Sequence, residues 1–220
     1  MIRNICAAGL GLLLLLAPGL ATAQLANDPT ADITALQTEW AHINYEVRDQ
    51  SAQEDQMKAL ADRAATVTAR YPDQAPPKIW EAIIVSSYAG MKGGIGALGL
   101  VKHARQLLLE AEKIDATAMD GSIYTTLGSL YYQVPGWPLG FGNHRKARAY
   151  LEQARALNPD GIDPNYFYGD LLIEDGEYAA AIPVLEHALQ APPRANREVA
   201  DAGRRAEIKA AIAKARAKLN

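Results

Sequence analysis

The 220 residues contain a single cysteine, Cys6, near the N-terminus. With no cysteine anywhere after it, the body of the chain has no internal disulfide, no thiolate nucleophile and no cysteine-held metal. An oxidising compartment permits disulfides without requiring them. Extended runs of Val, Ile and Thr are scarce, which leaves little from which to build a sheet. Charge of one sign is also missing. The formal net charge is −3, and nothing in that balance points to a nucleic-acid partner. The chain has no G-x-S-x-G, no P-loop and no Ser-x-x-Lys. His42, His103, His144 and His187 show no i,i+4 pairing with another His or an acid in a metal-motif arrangement, and read as surface or capping residues. No catalytic residue, metal or cofactor is expected, and the chain reads as a non-enzyme.

The N-terminus sets the expected compartment. Arg3 supplies a positive charge, Ile5 to Leu16 an apolar run, and Pro18 and Gly19 a break before Ala21, Thr22 and Ala23. That order is a secretory signal with cleavage ahead of Gln24. The run is broken too early for a membrane span of about 20 apolar residues. Cys6 precedes the apolar core and position 24 is Gln, so no lipid attachment is expected. The mature chain should be periplasmic and unanchored.

What remains is rich in Ala, Leu, Glu, Lys and Arg, the good helix formers. A fixed period organises it. Ala147, Leu151, Ala154 and Pro159 return 34 positions later as Ala181, Leu185, Ala188 and Pro193, which is the tetratricopeptide period of about 34 residues. An earlier copy is Ala104, Leu108 and Ala111, with Ala116 at the proline position. The matching first-helix pattern is Tyr124, Leu127, Gly128 and Tyr131, with looser copies from Asn165 to Leu172 and at Trp80 and Ile83. Small residues let two helices approach, and Pro ends the second one. A single hairpin cannot bury its apolar face, so neighbours must stack.

The expected fold is therefore all-α, a tetratricopeptide-like helical-hairpin solenoid with a C-terminal capping helix. Residues 24–75 form a degenerate hairpin carrying Trp40, Ile43, Val47, Leu60, Ala64 and Val67. Three repeats follow at about 76–118, 119–161 and 162–195, and 196–220 is the cap. Glu198 and Asp201 near its start and Lys214, Arg216 and Lys218 near its end suit the helix dipole. Asp201, Arg204, Arg205 and Glu207 read as exposed pairs of little worth, and Asp160, Asp163, Asp170, Glu174 and Asp175 as caps and first-turn charges.

Two hairpins carry extra residues at the same tip, Ala89 to Leu100 and Gln133 to His144. Insertions on one edge of a solenoid often mark the binding face. Gly94, Gly96 and Gly99 spell G-x-G-x-x-G, but the segment after them is a turn and another repeat helix, without the second strand a dinucleotide site needs. In the other insertion Trp137 and Phe141 either fold inward as a staple or wait for a partner. Tyr132 and Phe167 fall off the consensus core positions and are candidates for lining a cavity.

The segments GALGLVKHARQLLLEAEKID and DGSIYTTLGSLYYQVPGWPLGFGNHRKARAYLEQARALNPDGIDPNYFYGDLL, with the arginine-rich C-terminal cap, resemble the periplasmic T component of tripartite ATP-independent (TRAP) transporters. That resemblance implies a helical protein, a possible homo-oligomer, that contacts a periplasmic solute-binding protein and passes a ligand through an internal cavity. On it, Pro135, Gly136, Trp137, Pro138, Phe141 and Gly142 become partner or ligand contacts. The leading expectation is a protein-interaction scaffold with an open concave face. The alternative is a small-molecule-binding accessory with a closed cavity.

Overall fold

A computed structural model describes residues 28–219, and the expected signal lies outside them. Among the described residues there are nine helices and no strand. They are α1 (Thr30–Tyr45), α2 (Gln50–Arg70), α3 (Ala75–Lys92), α4 (Gly94–Ile114), α5 (Ser122–Gln133), α6 (His144–Leu157), α7 (Ile162–Glu174), α8 (Tyr178–Leu189) and α9 (Glu198–Ala217). None of them is long and apolar enough to cross a membrane.

The periodic residues form the hairpin seams. Ala104, Leu108 and Ala111 on α4, Ala147, Leu151 and Ala154 on α6, and Ala181, Leu185 and Ala188 on α8 are all fully buried. A fully buried Leu contributes roughly 1.5–3 kcal/mol relative to an exposed one. The glycines of the first-helix pattern explain the closeness. A Cβ on Gly128 would stand 2.5 Å from Leu151 Cγ, and one on Gly169 would stand 2.6 Å from Leu185. Each Leu fills the space its glycine leaves. Local chemistry sets the ends: Asp49 caps α2 by accepting from Ala52 N at 2.7 Å, and Asn143 caps α6 by accepting from Lys146 N at 2.9 Å.

The first extra segment is not a loop. Helix α3 runs on to Lys92 and α4 starts at Gly94, so the additional residues lengthen both helices to 18 and 21 residues. Gly93 and Gly94 make the turn, each with φ near +62°, a conformation that glycine adopts without steric cost. The second segment does form a loop, from Val134 to Asn143.

Consecutive hairpins place the odd-numbered helices inside. Contacts run α1 to α3, α3 to α5, α5 to α7 and α7 to α9, and α9 then packs back on α1. Five helices thus close a ring, with α2, α4, α6 and α8 outside it. Gly203 makes the closure possible, because a Cβ there would lie 2.3 Å from the Tyr45 ring. Helix α9 is therefore more than a polar cap: by packing on α1 it turns the concave face into a ring-lined cavity that remains open to solvent.

Candidate functional site

The space inside the ring is a cavity of about 470 Å³ lined by all five inner helices. Helix α1 contributes Trp40 and Tyr45, α3 contributes Trp80, and α7 contributes Phe167. Trp40 crosses Trp80 edge to face at 6.0 Å. Helix α5 gives a polar wall, since Ser122, Thr125, Thr126, Ser129 and Gln133 recur at helical spacing along one face. Their hydroxyls are spoken for as donors: Thr125 donates to Gly121 O at 3.0 Å, Thr126 to Ser122 O at 2.9 Å and Ser129 to Thr126 O at 2.9 Å. Across from them Ser87 donates to Ile83 O at 3.1 Å and accepts from Trp40 Nε1 at 2.8 Å. With their protons turned to the backbone, the α5 hydroxyl oxygens keep lone pairs for a guest.

The remaining wall comes from the α8–α9 connection and α9, and it is built on arginines. Pro192 and Pro193 prevent α8 from continuing. Arg194 then binds Asp201 through its backbone N at 2.9 Å, through Nε at 2.8 Å and through Nη2 at 2.6 Å. Its Nη1 reaches Asp163 Oδ2 at 2.7 Å. Arg204 donates from Nε to Asp163 Oδ1 at 2.8 Å and from Nη1 to Glu207 Oε2 at 2.5 Å. Its guanidinium also lies over the rings of Tyr166 and Phe167, at 4.3 and 4.8 Å. Asp201 and Arg204 are buried, so their reading as exposed surface pairs is corrected: α9 turns Asp201 onto Arg194 of the α8–α9 connection and Arg204 onto Asp163 of α7 rather than into water.

The electrostatics follow from this packing. Burial works against the Asp163 carboxylate, but the Arg204 and Arg194 guanidiniums outweigh it and hold its pKa at about 2. Burial pushes the Tyr166 phenol up to about 12 and raises Glu207. Arg197 differs from its neighbours. It lines the cavity and lies over the Trp80 ring at 5.1 Å. Its buried Nε has no hydrogen-bond partner, and among the described residues it joins no ion pair. Burial, and next the Arg194 charge, lower its pKa.

The residues singled out in the sequence fall in three places. Phe167 lines the cavity. Tyr132 does not: it is buried between α5 and α7, where its hydroxyl donates to Asp170 Oδ2 at 2.6 Å and accepts from Gln133 Nε2 at 3.1 Å. Pro135, Gly136, Trp137, Pro138, Phe141 and Gly142 lie in the α5–α6 loop, outside the cavity lining. That loop is divided. Phe141 turns inward, crossing Tyr131 at 5.3 Å with the Arg105 guanidinium 5.0 Å from its ring. Gly142 is sterically required, because a Cβ there would stand 1.9 Å from Val134 O. Gly136 accepts from Leu139 N and Gly140 N at 3.2 and 3.1 Å. Trp137 turns outward, 90 % exposed, so the staple alternative fails for this ring.

The acids read as caps also take up specific partners. Asp175, at the end of α7, accepts from Arg148 at 2.8 Å and pairs with His144 at 2.5 Å. His42 pairs with Glu46 at i,i+4, and His103 and His187 meet Glu81 and Asp160. Among the described residues no group of three or more His, Cys, Asp or Glu is arranged to hold a metal ion. The arginine cluster was missed because residues 194–205 look like the start of a polar cap. The available signal was the density of arginine, at 194, 197, 204 and 205, directly after a Pro-Pro stop.

A tetratricopeptide-repeat family profile matches residues 139–218. The chain is similar in fold to TTC0263, a thermophilic tetratricopeptide protein of Thermus thermophilus, with 17% identity, a TM-score of 0.56, and coverage of 88% of this chain and 95% of that one. It also aligns with Pseudomonas aeruginosa pilF at 14% identity over 87% of this chain and 92% of that one, with a TM-score of 0.35. No curated protein matches the chain. The fold is a tetratricopeptide-type solenoid, a class whose members generally serve as protein-interaction scaffolds rather than enzymes.

Proposed function

We propose that this chain is a non-enzymatic binding protein that holds a small ligand inside its helical ring. The carrying observation is the closure of α9 on α1 around a cavity of about 470 Å³ with aromatic, hydroxyl and arginine walls. That size lies within the range of roughly 300–1,000 Å³ typical of small-molecule sites. A scaffold that only grips an extended partner has no need to close its concave face. The signal-like N-terminus supports a periplasmic location, and the resemblance to the T component of TRAP transporters supports a role as an accessory of a solute-uptake system. Replacing Ser129 on the cavity wall by Phe fills the space. It should abolish ligand-dependent thermal stabilisation in a small-molecule screen, and an unchanged response would remove the cavity from the function.

A second reading is favoured by Trp137. With Leu139 at 67 % exposure beside it, it presents an apolar anchor on a loop fixed by Phe141 and Gly142. Such rings are the usual hot spots of protein contacts. In this reading the loop docks on a protein partner, for which a periplasmic solute-binding protein is the first choice and a second copy of the chain the next. Cross-linking of tagged protein in its native host, with Trp137→Ala beside the wild type, should recover one partner from the wild type only. Equal recovery from both would exclude the loop.

A further inference from the structure

We propose that the edge formed by the α3–α4 and α5–α6 hairpin tips docks on an anionic lipid surface, with Ile95, Trp137 and Leu139 as its apolar points and Arg145 and Lys146 behind them. The proposal stands apart from the cavity reading and sets lipid against a protein as the occupant of the Trp137 loop. Ile95, Trp137 and Leu139 are 89 %, 90 % and 67 % exposed, more than any other large apolar side chain among the described residues. All three lie where the repeats carry extra residues, at successive tips on one edge of the solenoid. The second tip is held against the first hairpin, because Phe141 packs on Tyr131 beside the Arg105 guanidinium of α4. Exposed apolar groups of this kind mark protein or membrane contacts, and tryptophan is favoured at the membrane–water interface.

Charge decides between the two. The chain is acidic overall, at −3, yet residues 82–109 and 121–151, which build both tips, contain no Asp or Glu. Their cations are Lys92, Lys102, Arg105, Arg145, Lys146 and Arg148. Lys92 faces Glu54 at 4.0 Å, and Arg148 takes Asp175 and Glu177 at 2.8 and 2.5 Å. The other four join no ion pair among the described residues, and Arg105 and Lys146 rest on the Tyr131 ring. The flanking tips do carry acids, but Asp49 caps α2, Glu46 pairs with His42, and Glu174 with Lys214. Anionic headgroups attract basic residues held close to them. The shape argues the same way. A protein hot spot fills a packed pocket on its partner, whereas a headgroup layer receives separate protruding side chains. One ring and two aliphatic chains with a few cations give a reversible attachment.

The test is titration of the purified protein with vesicles of phosphatidylglycerol and phosphatidylcholine in equal parts, beside phosphatidylcholine alone. Tryptophan emission and co-sedimentation are the readouts. Trp40 and Trp80 are buried, so emission that moves to the blue and is quenched by a brominated acyl chain reports Trp137. Anionic vesicles should give both changes, and neutral ones should bind at least tenfold more weakly. Ile95→Ser with Trp137→Ser should lower co-sedimentation tenfold or more. Arg145→Gln with Lys146→Gln should do the same on anionic vesicles, at roughly fivefold per charge, and added salt should imitate it. All variants share one N-terminus, so the differences between them belong to the tips. Equal binding to both vesicles, sedimentation without a change in Trp137 emission, or binding that the tip variants leave unchanged would overturn the proposal. Trp137-dependent recovery of a protein partner with no vesicle binding would also overturn it and give the loop to that partner. The cavity reading is untouched by any of these results.

Discussion

Replacing Arg204 by Met probes the buried cluster that ties α9 to α7. The change keeps an unbranched apolar stem and removes the bonds to Asp163 and Glu207 together with the stacking on Tyr166 and Phe167. The wild-type Asp163 carboxyl sits at about 2. Against an unfolded value of about 3.9, that corresponds to about 2.6 kcal/mol of stability at neutral pH. Arg194 shares this contribution, so roughly half of it should go with Arg204. Loss of the two ring contacts adds about 1 kcal/mol, and Glu207 recovers part of its hydration. The expected destabilisation is about 2–3 kcal/mol. At a urea dependence of about 2 kcal/mol/M the midpoint should fall by about 1 M. Chemical denaturation followed by tryptophan fluorescence measures it. The pH dependence has a definite sign. A depressed carboxyl stabilises above its unfolded pKa and loses that contribution as the pH falls toward its folded value. The gap between wild type and variant should therefore narrow between about pH 4.5 and 2. Asp170 and Glu207, raised by burial but lowered by Arg204, rise further in the variant and gain stability over falling pH, which narrows the gap in the same direction. A loss below about 0.5 kcal/mol, the scale of an exposed pair, or a gap that does not change with pH would refute the buried cluster.

Two further perturbations test the hairpin seam and the loop. Gly128→Ala places a Cβ 2.5 Å from Leu151 Cγ; overpacking of about 1–3 kcal/mol should exceed the gain of about 1 kcal/mol in helix propensity, and a Tm above wild type would contradict that close approach. Trp137→Ala should leave stability within about 0.5 kcal/mol of wild type, whereas Phe141→Ala, half-buried on Tyr131, should cost about 2 kcal/mol. Calorimetric melting separates the two, and the reverse order would mean that the loop is folded the other way round.

The repeats were legible because their information is local. Ala147 and Leu151 face Gly128 within one hairpin, and the same small-next-to-large arrangement recurs at Gly169 and Leu185, the leucine 34 residues on. The glycine segment after α3 was harder, because a glycine run suits a loop and a tight turn equally. Apolar spacing through Ala97, Leu100, Val101 and Ala104 continues the helix almost to the turn. Ring closure was not legible at all. It depends on small rotations between successive hairpins adding up until Gly203 meets Tyr45, a contact between opposite ends of the chain. The site inherits this difficulty. Arg194, Arg197 and Arg204 follow a polar, cap-like pattern, and only the return of α9 to α1 and α7 makes them cavity walls. Phe167 was visible because it broke the repeat pattern. Tyr132 broke it too, but Asp170 took its hydroxyl into the helix interface.

Closure of the ring is the central claim, and cross-linking tests it directly. With Cys6 replaced by Ser, the pair Tyr45→Cys and Gly203→Cys places one thiol on each side of the α1–α9 contact. The first change also removes the ring that a side chain at position 203 would strike. A short bismaleimide should join the two within one molecule in high yield at low protein concentration, and unfolding in urea should abolish the reaction. A folded double variant that stays uncross-linked would show an open solenoid, and the ring-lined cavity would fall with it.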